Sequence, residues 1–108
     1  MISFKNIENI IKENNINKIF IGFSGGIDST ALLIYCQNLN IDIEAIHFNH
    51  NLRKESHADA NWCKEFCEVR NIKFQSINLE LQGSEKGIEA EARELRLKHW
   101  FNIAKSAN

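Results

Sequence analysis

Ile19-Phe20-Ile21-Gly22-Phe23-Ser24-Gly25-Gly26-Ile27-Asp28-Ser29-Thr30 is an apolar run that breaks into Ser-Gly-Gly. It resumes as an acid and two hydroxyls ahead of Ala31-Leu32-Leu33-Ile34. The pattern predicts a strand, a tight loop and a helix N-terminus. At such a junction unpaired N–H groups and the positive end of the helix dipole converge, which suits phosphate. Two glycines let backbone approach a ligand with no Cβ in the way. A plain strand-to-helix turn would need only the glycines. Ser24 and Ser29 add hydroxyls that can donate to phosphate oxygens. Asp28 would repel a bare phosphate, so it fits best beside a bridging Mg²⁺. The stretch has neither the lysine of a Walker loop nor the three glycines of the dinucleotide fingerprint.

Outward from this loop, the chain alternates. Phe4, Ile7, Ile10 and Ile11 recur at helical spacing over residues 3–14, with Asn14, Asn15 and Asn17 suited to the exit. Residues 18–23 form the first predicted strand. A helix follows from Asp28 to about Leu39, with Ala31, Leu32, Ile34, Tyr35 and Leu39 available to pack on a sheet. Residues 42–48 predict a second strand running into His47-Phe48-Asn49-His50. Ser56 to Arg70 predicts a helix with Ala60, Cys63, Phe66 and Cys67 as its buried stripe. Ile72 to Leu79 predicts a third strand. Gly83-Ser84-Glu85-Lys86-Gly87 predicts a loop, and Ile88 to Ser106 a long helix.

The alternation of strands and helices predicts an α/β fold with a parallel sheet. Right-handed crossovers then set strands two and three successively to one side of strand one. The other side of strand one stays a sheet edge. In doubly wound folds that is where strand order reverses and ligands bind.

The 108 residues suit one domain, and the net charge of −1 marks no nucleic-acid binder globally. The N-terminus lacks the apolar core of a signal peptide, and no apolar run approaches membrane length. Three cysteines form an odd set and read as reduced thiols, so a cytoplasmic location is expected. Trp100 to Asn108 keeps helical character and simply stops, as if the chain were cut at a helix end.

Ser24-Gly25-Gly26-Ile27-Asp28-Ser29 resembles the SGGxDS loop of the N-type ATP pyrophosphatases, which split ATP between the α and β phosphates. Two further stretches resemble one branch of them, the tRNA(Ile)-lysidine synthetases. They are His47-Phe48-Asn49-His50-Asn51-Leu52-Arg53 with Glu55-Ser56 and Ala58-Asp59-Ala60, and Gly87-Ile88-Glu89-Ala90-Glu91-Ala92-Arg93-Glu94-Leu95-Arg96. The resemblance implies a Rossmann-like, adenine nucleotide alpha hydrolase-like fold, of which residues 1–108 supply three strands and the N-terminal part of the domain. It implies a ligase that adenylates the wobble cytidine of tRNA(Ile) at C2 and lets L-lysine displace AMP, with ATP and Mg²⁺ required. Ser24, Gly25, Gly26, Ile27 and Ser29 would hold ATP phosphates, and Asp28 would bind Mg²⁺. His47 and His50 would lie near the adenosine. Arg93, with Arg96 beside it, would neutralise phosphate, and Asp28 and Arg93 would serve catalysis.

The resembling family continues into a fourth strand beside strand one and a histidine- and aspartate-containing motif, which these residues do not supply. Leu97 stands where that family has an aromatic residue. The isolated chain is therefore expected to be inactive and to self-associate through the exposed edge of strand one. Blander readings stand beside these. His47 could be a packed strand residue and His50 a solvated one. Arg93 and Arg96 could pair with Glu89, Glu91 and Glu94 on a helix surface. Cys63 and Cys67 read as small core residues, and Trp62, Trp100 and Phe101 as core or interface aromatics. Two functional alternatives remain: another ATP pyrophosphatase, such as a tRNA thiolation enzyme or an NAD or GMP synthetase relative, and a non-catalytic nucleotide-binding remnant.

Overall fold

The computed structural model describes residues 4–50, 56–83 and 85–106. Asn51, Leu52, Arg53 and Glu55 of the second motif, and Ser84 of the glycine loop, lie outside these. The elements run α1 (Phe4–Glu13), β1 (Lys18–Gly22), α2 (Ile27–Gln37), β2 (Asp42–Asn49), α3 (Ser56–Val69), β3 (Lys73–Asn78) and α4 (Ile88–Ser106). The strands form one parallel sheet in the order β1-β2-β3. This is the expected succession, and β1 is an edge strand. Phe23, one residue past β1, still donates its N–H to Ile46 O at 2.8 Å.

Strand side chains alternate between two faces. Ile21 and Phe23, Ile43 and Ala45, and Ile72 form one buried cluster with Leu33 and Cys36 of α2 and Cys63 and Cys67 of α3. So α2 and α3 cover the same face. On the other face Phe48 meets Trp100 of α4 edge-on, with ring centroids 5.5 Å apart. α4 covers this face only in part: Phe20, Phe48 and Ile77 stay half-buried, and β1 alone reads as a nearly continuous apolar run, whereas β2 alternates and β3 is largely polar.

The rotation of α2 differs from the sequence expectation. Leu33 and Cys36 are its buried residues, whereas Ala31 and Ile34 are exposed. After its first turn the helix is apolar nearly all round, so periodicity could not choose the face. The stripe expected on α3 is found: Cys63 and Cys67 are fully buried, with Ala60 and Phe66 half-buried.

All three helix-to-strand turns contain an asparagine at positive φ: Asn15 at 52°, Asn40 at 59° and Asn71 at 58°. Asparagine tolerates the left-handed region better than most side chains. At α1 and α3 the turn is a complete Schellman motif. Ile16 N–H reaches back to Ile11 O and Asn15 N–H to Lys12 O, and Ile72 and Asn71 repeat the pattern on Cys67 and Glu68. These bonds satisfy carbonyls that the helix end leaves orphaned, and they aim each chain directly into the next strand.

Burial pushes the Cys63 and Cys67 thiols up to about 11 and raises that of Cys36 too. The thiolate is the reactive form. Ellman's reagent at pH 8 is therefore expected to label none of the three in the native chain within minutes, and all of them after denaturation. Rapid native labelling would show that the core opens.

Among the described residues, no helix is long and apolar enough to cross a membrane. Beside the β1 edge lies an open apolar groove of about 330 Å³, lined in part by Ile7, Ile10, Ile16, Ile19, Leu32 and Cys36. Ile10 is 53% exposed there.

Candidate nucleotide site

Strand β1 ends in buried Phe23, and the chain then turns out to solvent through Ser24, Gly25 and Gly26. Gly25 has φ of +88°, where an L side chain is strained. A Cβ there would also lie 3.1 Å from Cys63 Sγ and 3.5 Å from the Trp62 ring. Two demands thus fall on one residue: a left-handed turn, and close approach to α3. Gly26 is extended, at φ −74° and ψ 170°, and forms the N-cap of α2. Its carbonyl accepts from Thr30 N–H at 3.0 Å.

No side chain caps the helix; two serines instead brace the loop ahead of it. Ser24 Oγ and Ser29 Oγ are 3.0 Å apart. Ser24 Oγ accepts from Gly26 N–H at 3.2 Å, while Ser29 Oγ accepts from Ser24 N–H at 3.2 Å and lies 3.3 Å from Gly26 O. The loop is a closed ring of weak hydrogen bonds, all exposed. Each is long enough to exchange for a bond to an anionic oxygen, since charge-assisted bonds are roughly twice as strong. Asp28 sits exposed in the first turn of α2, and Ile27 beside it is 88% exposed. Both side chains are available to a ligand or a neighbouring surface.

The second motif folds to the same end of the sheet. His47 is 6% exposed, and its Nδ1 lies 2.9 Å from Phe23 O. With Nδ1 protonated, the ring ties the end of β2 to the residue from which the phosphate loop springs. The same ring lies over Phe74 of β3, with centroids 6.5 Å apart and planes at 26°. His47 is thus a packed strand residue that also borders the site. It lines a cavity of about 330 Å³ with Ser24, Phe48, Asn49, His50, Ser56 and Asp59. Both expected histidines and the loop serine share that cavity.

His50 is half-buried, and its pKa falls below 6.5, chiefly through burial and then through the nearby Arg96 charge; Glu89 acts in the opposite sense. The first half of α4 therefore faces the end of β2. Arg96 is the arginine felt there. Arg93 is exposed on α4, and its charge is not among those acting on His50. A base whose folded pKa is depressed binds fewer protons than the unfolded chain between the two values, so stability rises with pH across that window. The His50 resonance is expected to titrate below 6.5 by NMR. Native stability should fall as pH drops through 6.5, and His50→Asn should flatten part of that slope. A His50 titration above 6.5 would contradict this.

Sequence reasoning missed Glu91. It is buried at 8%, and its carboxylate accepts from the backbone N–H groups of Gln82 and Gly83. It anchors the loop ahead of α4 and so sets where that helix starts. Among five closely spaced glutamates and arginines, no periodicity distinguished it. Among the described residues, no three of His, Cys, Asp and Glu cluster as metal ligands.

A Gly-Gly turn with Gly25 in the left-handed region, braced by paired serines at a helix N-terminus on a parallel sheet, defines a phosphate-loop protein. The PP-loop domain family matches residues 2–108, and the chain belongs to that family. Among curated proteins it is similar to the tRNA(Ile)-lysidine synthase of Buchnera aphidicola, at 35% identity over 92% of the chain and 24% of that protein. The tRNA(Ile)-lysidine synthase of Francisella tularensis subsp. tularensis matches at 35% over 94% of the chain and 26% of its own length. That of Hydrogenovibrio crunogenus matches at 39% over 73% of the chain and 20% of its own length. The chain thus spans about a quarter of the length of these relatives.

Proposed function

We propose that this chain is the N-terminal, ATP-binding part of a ligase that makes lysidine on tRNA(Ile). The observation that carries the reading is the Ser24–Ser29 ring on the α2 N-terminus, with Asp28 in the first helical turn. Phosphate oxygens of ATP replace the internal bonds of Ser24 and Ser29 and take up the N–H of Gly26. Asp28 would hold Mg²⁺, which would supply charge neutralisation to the phosphates. His47 keeps the loop base in place, and His50 stays neutral beside the adenosine. Arg93 and Arg96 offer planar, bidentate donors to phosphate from α4. The cytidine C2 carbonyl oxygen attacks the α-phosphorus and pyrophosphate leaves. The ε-amine of L-lysine then attacks C2 and AMP leaves.

Thiolation chemistry is less well supported, because Cys63 and Cys67 are wholly buried with raised pKa values. The test has two halves. Calorimetric titration of the chain with ATP and Mg²⁺ should give heat whose Mg²⁺ dependence Asp28→Ala removes. Labelled lysine should enter tRNA(Ile) when this chain is joined to the remaining length of a relative. Equal, absent heat for both forms would favour a non-catalytic remnant.

The apolar groove and the unpaired edge of β1 support self-association of the chain on its own, because such an edge templates pairing with another strand. Light scattering should show mass rising with concentration. A monomer at high concentration would rule this out.

A further inference from the structure

Trp62 is the large aromatic that the nucleotide site leaves unexplained. It is 49% exposed, yet it is held on two sides. Its ring lies 3.5 Å from the position of a Cβ on Gly25, so it abuts the phosphate loop. It stacks on Phe66 one turn along α3, with centroids 5.3 Å apart and planes at 28°. Phe66 in turn carries the Arg70 guanidinium 3.6 Å from its ring centroid, and Phe23 of the loop base leans on both rings. The spacing 62, 66, 70 is one helix face. The result is a column of three planar groups, rigidly backed by the core, whose end plane is Trp62. Ala58, four residues earlier, is too small to cover that plane.

A fixed indole loses little entropy when a flat ligand stacks on it, and any nucleobase has a π-face to offer. The neighbouring Glu65 is exposed and anionic. It disfavours phosphate on the ring itself and can accept from an exocyclic amine. Asp59, one turn before Trp62 on α3, lines the cavity that contains Ser24 and His50.

We propose that the outer face of Trp62 is a stacking platform for an amine-bearing nucleobase presented at the phosphate loop. The inference rests on the nucleotide-site reading above and adds a second base-recognition surface to it. The base comes from one of two sources, ATP itself or the RNA substrate, and the experiment separates them.

The sequence has two tryptophans, so Trp100→Phe of the full chain leaves Trp62 as the sole indole emitter. It is titrated separately with ATP and with an anticodon stem-loop RNA, reading emission and acrylamide quenching. One ligand is expected to quench Trp62 and to at least halve its acrylamide accessibility, which names the source. Trp62→Leu should weaken that ligand about tenfold while Trp62→Phe stays within about threefold, as expected of base–aromatic stacking. Equal affinities for the Leu and Phe variants would overturn the proposal, and so would a signal elicited by free L-lysine alone. Silence of Trp62 toward both ligands, with wild-type ATP heat intact and its Mg²⁺ dependence lost in Asp28→Ala, would sink the platform and leave the nucleotide site standing. Absent ATP heat together with a Trp62 response to RNA would sink the nucleotide-site reading alone.

Discussion

Asp28→Asn is expected to bind metal-free ATP more tightly than the wild type and to lose the gain that Mg²⁺ confers. The two effects have opposite signs, which makes the variant diagnostic. An exposed carboxylate in the first turn of α2 repels a bare triphosphate through unscreened charge. A Mg²⁺ held by the same carboxylate would turn it into an attractive partner. In the joined ligase, loss of this contact should lower AMP formation by about 10³-fold, or roughly 4 kcal/mol at 1.36 kcal/mol per decade. Calorimetry with and without EDTA reads the binding half, and pyrophosphate release reads the other. Unchanged Mg²⁺ dependence in Asp28→Asn would remove Asp28 from the metal's company.

Gly25→Ala is expected to be the most damaging single methyl in the chain. At φ +88° the new Cβ meets backbone strain of about 1–2 kcal/mol. It also meets Cys63 Sγ at 3.1 Å, against a core that cannot yield far, because Cys63 is fully buried. Either the loop flattens or α3 retreats, and both disperse the ring of N–H and hydroxyl groups. ATP heat should vanish and thermal stability should drop. Gly25→Ala with Cys63→Ala should recover part of the stability and little of the binding, since the backbone strain persists. Gly26→Ala is the control. Its φ is ordinary and its Cβ would lie 3.4 Å from Ser24 Oγ, so the fold should hold while binding weakens modestly. Equal behaviour of the two alanines would refute the argument.

Much of this was legible in the chain. The strand-loop-helix at Ile19 to Thr30 needed only an apolar run, two glycines and the hydroxyls around them. The three strands and four helices follow from alternation of period, and β1 as an edge follows from crossover handedness. Three things were not legible, each for a physical reason. The rotation of α2 was hidden because Leu32, Leu33, Ile34 and Cys36 offer apolar groups on several faces. The hydrogen bond from His47 to Phe23 O depends on the parallel register of β1 on β2, which pattern alone does not fix. Arg96 rather than Arg93 facing His50 depends on where Glu91 starts α4. In each case the composition was right and the missing quantity was an angle about a helix axis or a step along a strand.

The order β1-β2-β3 also bears on synthesis. Among the described residues each strand pairs with the one made just before it, so these pairings form between neighbouring segments. Low sequence separation between contacts favours fast folding, and domains generally fold N-terminal first as they emerge at about 5–20 residues per second. The phosphate loop leaves the ribosome ahead of β2, and its first fixed neighbour is Ile46 O, which arrives about twenty residues later. The turn between β1 and α2 can thus be set within seconds of its emergence. A nascent-chain pulse-proteolysis series should show protection beginning once β3 has cleared the exit tunnel.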